Sequence, residues 1–120
     1  MSRSLVVKVT CGAEDAERSN QGFTVAASAV AAGAPVSLWL TGEAAWLAVP
    51  GRAELFDLPH ATPLADLIGL VIDTGQVTVC SQCAVRRGLT EADLLKGVRI
   101  AGAAVFAEEI LAPDAQAVVY

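Results

Sequence analysis

With 120 residues, 54% of them hydrophobic and 18% charged, the chain is long enough to bury one core without disulfide or metal staples, so a single domain over residues 1–120 is expected. Eight basic against thirteen acidic residues leave a net charge of −5 with no basic stripe, which argues against nucleic acid as a partner. Three cysteines, an odd number behind a start (Met1-Ser2-Arg3-Ser4) with no apolar signal region, argue against a disulfide framework and for free thiols in the cytoplasm.

The β-branched run Leu5–Val9 predicts a first strand, ended by Cys11-Gly12. Acidic Glu14 and Asp15 then precede a helix whose Phe23, Ala26, Ala27, Val30 and Ala31 recur at helical spacing, with Gly33 as the stop. Gly33 and Pro35 also interrupt the longest apolar stretch, Gly22 to Leu40, which removes it as a membrane span. Val36–Leu40 reads as the second strand, Glu43–Ala48 as a short helix and Pro50-Gly51 as a turn, whereas residues 52–61 have weak periodicity. Thr62 as cap and Pro63 as first helical residue open a helix with Leu64, Leu67, Ile68, Val71 and Ile72 on one face, up to Gly75. Gln76–Val79 predicts a third strand ending at Cys80, and Ala84–Arg87 a short helix closed by Gly88. Thr90 with Asp93 resembles a capping arrangement for a brief helix ending near Gly97. Val98–Ile100, a helix over Gly102–Leu111, the turn Pro113-Asp114 and a last strand Gln116–Tyr120 complete an alternating β-α order. Such alternation predicts an α/β fold with a parallel sheet covered on both faces. The low charged fraction, against about 25% in ordinary domains, leaves apolar surface for a partner subunit.

Chemistry concentrates at Cys80-Ser81-Gln82-Cys83. In an open parallel sheet, ligands bind outside the carboxyl ends of strands, and a helix starting there favours thiolate over thiol. Cys80, nearer the sheet edge, is the expected nucleophile, and Cys83, three positions on, the resolving thiol. Cys11 leaves the first strand at the same edge, and Gly12 lets the backbone approach a ligand, so the two are candidate substrate-binding positions, beside the reading of Cys11 as a small packing residue. A Cys3His metal set of Cys11, Cys80, Cys83 and His60 has the wrong spacing for a zinc ribbon or finger, so no metal is expected. No cofactor is expected either, since neither phosphate-binding glycine pattern occurs. Arg86 and Arg87 precede Gly88, where cations meet the negative end of a helix dipole. Trp39 and Trp46 flank Thr41-Gly42, as site-lining, core or subunit-contact residues.

The order and spacing of several segments together resemble the DsrE/DsrF-like family, which includes TusD-like sulfur-relay subunits and proteins described as predicted peroxiredoxins. They are Cys11-Gly12-Ala13-Glu14-Asp15-Ala16-Glu17-Arg18, Ala31-Ala32-Gly33-Ala34-Pro35-Val36, Pro63-Leu64-Ala65-Asp66-Leu67-Ile68, Val77-Thr78-Val79-Cys80-Ser81-Gln82-Cys83 and Arg87-Gly88-Leu89. The resemblance implies a three-layer α/β/α sandwich on a parallel five-stranded sheet, commonly assembled as homo-oligomeric trimers or hexamers. It further implies that Cys80 accepts sulfur as a persulfide from a donor protein and passes it to an acceptor protein, as a sulfurtransferase-like carrier. Cys83 goes beyond the single-cysteine relay pattern, which leaves room for release of sulfur by Cys83. Two other readings stand beside it: a thiol–disulfide oxidoreductase using Cys80 and Cys83, and a non-catalytic oligomeric binding scaffold.

Overall fold

The computed structural model describes residues 3–120; Met1 and Ser2, the start of the segment read above for a signal region, lie outside them. Strands β1 (Ser4–Val9), β2 (Val36–Leu40), β3 (Gln76–Cys80), β4 (Val98–Ala101) and β5 (Ala115–Val119) form one parallel sheet in the order β4-β3-β2-β1-β5. Helices α1 (Ala16–Ala31), α2 (Arg52–Leu55), α3 (Leu64–Thr74), α4 (Ser81–Arg86) and α5 (Ala103–Ile110) lie in the connections. The parallel α/β arrangement expected from the sequence is therefore observed, with helices on both sides of the sheet.

Side-chain alternation gives the sheet two unlike faces. Val7 and Val9, Leu38 and Leu40, and Val77 and Val79 belong to the main core, with Phe23, Ala26, Ala27 and Val30 of α1 and Leu64, Leu67, Ile68 and Val71 of α3. Each fully buried Val, Leu, Ile or Phe side chain among them contributes roughly 1.5–3 kcal/mol. The opposite face carries Lys8, Ser37, Trp39, Thr78 and Arg99, and α5 covers it through Phe106 and Glu109.

Helix ends explain the few shifts from the sequence reading. Pro63 is the residue before α3 and not its first residue: its backbone is extended, and its carbonyl accepts the N–H groups of Asp66 and Leu67 at 3.0 and 3.3 Å. The expected short helix after β2 is a 3-10 helix over Gly42–Ala48, and the weakly periodic segment opens with α2, whose Arg52 stacks 4.6 Å from the centre of the Trp46 ring. Thr90 and Asp93 do form a capping box, on a 3-10 turn at Glu91–Asp93. Among the described residues no helix is long and apolar enough to cross a membrane.

The topology singles out one place on the sheet edge. The connection from β3 enters α4, whose Cys83 and Ala84 join the main core, whereas the connection from β4 enters α5 on the other face. Neighbouring strands with diverging connections leave a crevice at their carboxyl ends, and β3 ends in Cys80.

Candidate functional site at the carboxyl end of the third strand

Because Val77 and Val79 face the main core, Thr78 and Cys80 face α5. Register places Lys8 beside Trp39 and Trp39 beside Thr78, so Lys8, Trp39, Thr41 and Cys80 share that face. With Ala103 and Phe106 of α5 they line a cavity of about 50 Å³. Trp39 and Phe106 meet edge to face, ring centres 5.3 Å apart at 78°, and the Lys8 ammonium lies 5.0 Å from the centre of the Phe106 ring.

Cys80 is half-buried and is both the last residue of β3 and the N-cap of α4. Burial pushes its thiol up, but the backbone N–H and thiol of Cys83, the N–H of Gln82 and the Lys8 ammonium outweigh it, so the Cys80 pKa falls below the ordinary thiol value. Cys83 is itself buried, and its sulfur accepts the Gly42 N–H at 3.2 Å. The Cys83 thiol thus accepts from the Gly42 amide and also helps hold the Cys80 thiol below its ordinary value. Gly42 holds that amide in place with φ +54°, where a Cβ would also meet the Thr10 carbonyl oxygen at 2.7 Å.

The short helix α4 is fixed at its far end too. The N–H groups of Gly88 and Leu89 donate to the carbonyls of Val85 and Ala84 at 3.1 and 2.9 Å, a Schellman ending that needs the left-handed φ of Gly88. Arg87 donates to the Cys83 carbonyl at 3.1 Å, as a cation at a helix C-terminus should, and also clasps Glu43 at 2.7 Å. That hydrogen bond holds the Glu43 carboxyl below its usual value.

Cys11 lies just past the end of β1 on the same edge, but β2 separates β1 from β3, so roughly 10 Å of sheet stands between the two strand ends. Cys11 is 6% exposed, and burial first, then the charges of Asp15 and Glu14, push its thiol above the ordinary value. The Gly12 N–H donates to the Glu14 carboxylate at 2.7 Å, and a Cβ on Gly12 would meet the Glu43 carbonyl oxygen at 2.7 Å. The structure thus brings Cys80 and Cys83 together and leaves Cys11 and Gly12 outside the cavity wall. His60 is exposed in a turn, and among the described residues no three His, Cys, Asp or Glu side chains gather as a metal site.

Several residues beside Cys80 had not been singled out. Lys8 and Arg99 are charges inside otherwise apolar strand runs, a visible signal, but only strand order shows what they face. Glu109 accepts hydrogen bonds from Ser37 at 2.6 Å and Trp39 at 2.9 Å and pairs with Arg99, which in turn donates to Thr78 at 2.7 Å. Burial would raise the Glu109 carboxyl; these donors outweigh it and hold it down. The latch fixes α5, and with it the Phe106 wall of the cavity. Of the two tryptophans, Trp39 lines this cavity, whereas Trp46 lines a separate groove of about 190 Å³ with Glu43, Arg52 and Phe56.

The sequence profile of the DsrE/DsrF-like family matches residues 3–118, nearly the whole chain. The chain belongs to the DsrE/DsrF-like family. This family is associated with sulfur relay, and solved structures similar to this DsrE-like chain share its fold. The ychN protein from E. coli matches with a TM-score of 0.81 and 16% identity over 100% of both chains. MTH1491 from Methanobacterium thermoautotrophicum, a protein of unknown function, matches with a TM-score of 0.66 and 10% identity, again over 100% of both. A curated relative, the uncharacterized protein MJ0760 of Methanocaldococcus jannaschii, is 29% identical over 110 residues, which span 91% of this chain but 40% of that protein.

Proposed function

We propose that this DsrE-like protein is a cytoplasmic sulfur carrier that holds sulfur as a persulfide on Cys80. The observation that carries the reading is a thiol with lowered pKa, half-exposed at the diverging strand ends β3 and β4 and opening on a small cavity. The Cys80 thiolate attacks the outer sulfur of a donor persulfide. A new S–S bond forms on Cys80, the donor's S–S bond breaks, and the donor leaves as a thiolate that takes up the persulfide proton. The sulfur is then held as an anionic Cys80 persulfide, and an acceptor thiolate removes it by the same exchange, with no net oxidation. Free thiols of this kind persist in a reducing compartment.

Cys83 offers a second way out. Its thiolate can attack the Cys80 sulfur, expel the outer sulfur as hydrosulfide and leave a Cys80–Cys83 disulfide, which a dithiol reductant then returns to two thiols with two electrons. The placement of both thiols at the start of α4, three positions apart, favours this route, and equally a thiol–disulfide oxidoreductase working without a persulfide. Donor and acceptor are proteins in this reading, and self-association into a trimer or hexamer would cover the exposed Leu111 and Val119.

Mass spectrometry of the protein after incubation with a persulfide donor tests it, with Cys80 and Cys83 read separately before and after reduction. One added sulfur on the Cys80 peptide is expected. Unmodified Cys80 under conditions that load a known carrier rejects the carrier reading, and an intramolecular disulfide without any added sulfur selects the oxidoreductase.

A further inference from the structure

Resting on the carrier reading, we infer that the cavity between α5 and the sheet is a binding site for a small sulfur anion, the outer sulfur of a persulfide or polysulfide, with Lys8 as its counter-charge and specificity residue. Three observations converge on it. The cavity has Cys80 in its wall, so anything bound there adjoins the reacting sulfur. At about 50 Å³ it is far smaller than the roughly 300–1,000 Å³ of sites for drug-sized ligands, so it admits a group of a few atoms and excludes the body of an organic thiol or a peptide.

Its charge is one-sided. Lys8 interrupts the apolar run of β1, and among the described residues it has no carboxylate within ion-pair distance; it rests on the face of the Phe106 ring. From α5, Ala103 and Phe106 face the cavity without charge, and Glu109, one turn on, has its oxygens taken by Ser37, Trp39 and Arg99. From β2, Trp39 is neutral and the Thr41 hydroxyl donates to the Val9 carbonyl at 3.3 Å. From α4, the titratable neighbour is Cys83. A monoanion on Cys80 is what completes this environment. A cation would meet Lys8, and a neutral group would leave the ammonium without a counter-charge.

The test compares alkylation of Cys80 by anionic iodoacetate and neutral iodoacetamide, read on the Cys80 peptide of the full chain. Both reagents need the thiolate, so its fraction cancels in the ratio of rates, and the ratio reports attraction of an anion into the cavity. In the unaltered protein at low salt the ratio should exceed that of a free cysteine peptide several-fold and fall as salt rises. Lys8→Met should lower it by roughly three- to tenfold and Lys8→Arg should keep it. A ratio equal to the free peptide's, or one that Lys8→Met leaves unchanged, overturns the inference. Loading with sodium tetrasulfide separates the two claims. If the unaltered protein gains sulfur on Cys80 while the ratio is ordinary, the anion site is wrong and the carrier reading stands. If the ratio behaves as stated and no sulfur is gained, the site stands and the carrier reading falls.

Discussion

Cys11 and Cys80 both sit where a strand gives way to a helical turn on the carboxyl edge of one sheet, yet their surroundings drive them in opposite directions. After β1 the chain supplies Glu14 and Asp15, whose negative charges add to burial and keep Cys11 a thiol. After β3 it supplies the N–H groups of Gln82 and Cys83, the Cys83 thiol and, across the sheet, Lys8. The edge of a parallel sheet is thus permissive for thiol chemistry and not sufficient. Burial first, with Glu14 and Asp15 behind it, holds Cys11 as a thiol, whereas the donors at the start of α4 and then Lys8 outweigh burial at Cys80.

The largest effect should come from deleting the sulfurs one at a time. Cys80→Ser should abolish sulfur loading, at least a hundredfold in rate, while Cys11→Ser stays within about twofold, both read as added sulfur by mass spectrometry. An equal loss in the two variants would break the contrast. Next, alkylation at neutral pH should favour Cys80 over Cys11 by roughly a hundredfold, with the Cys80 rate rising through a midpoint below the ordinary thiol value of 9.0 and that of Cys11 above it. The linkage signs differ accordingly: the Cys80 contribution to stability is present above its unfolded value and lost as pH falls through the depressed folded one. That of Cys11 is present below its unfolded value and lost as pH rises through the raised one.

A smaller change should follow from Cys83→Ala, which removes a donor to Cys80. The Cys80 midpoint should move up and its alkylation at neutral pH should slow by up to about tenfold, with Cys11 unmoved. Smallest of all, Glu14→Gln combined with Asp15→Asn should speed Cys11 alkylation about two- to fivefold, because burial, the first cause of its shift, remains.

The strands, the long helices and the place of Cys80 were legible because they depend on local patterns: β-branched runs, 3.6-residue spacing and glycine stops. The cavity was not. Lys8, Trp39, Thr41 and Phe106 come from separate segments, and only the order β3-β2-β1, with α5 crossing beneath, makes them neighbours of Cys80. Pro63 falls one residue earlier than the sequence places it because a fixed φ suits both the N-cap and the first helical position, and it is ψ, 131° here, that distinguishes them. The clasp of Arg87 on Glu43 escaped for the same reason as the cavity, since its partner lies 44 residues away.

The hydrogen bond from the Gly42 amide to the Cys83 sulfur makes a backbone proton sensitive to the redox and substitution state of the thiol pair. Loading Cys83, or joining it to Cys80, changes or removes that acceptor. The Gly42 amide resonance and its exchange with deuterium thereby form a gauge of turnover, readable in an isotope-enriched sample without a tag near the site.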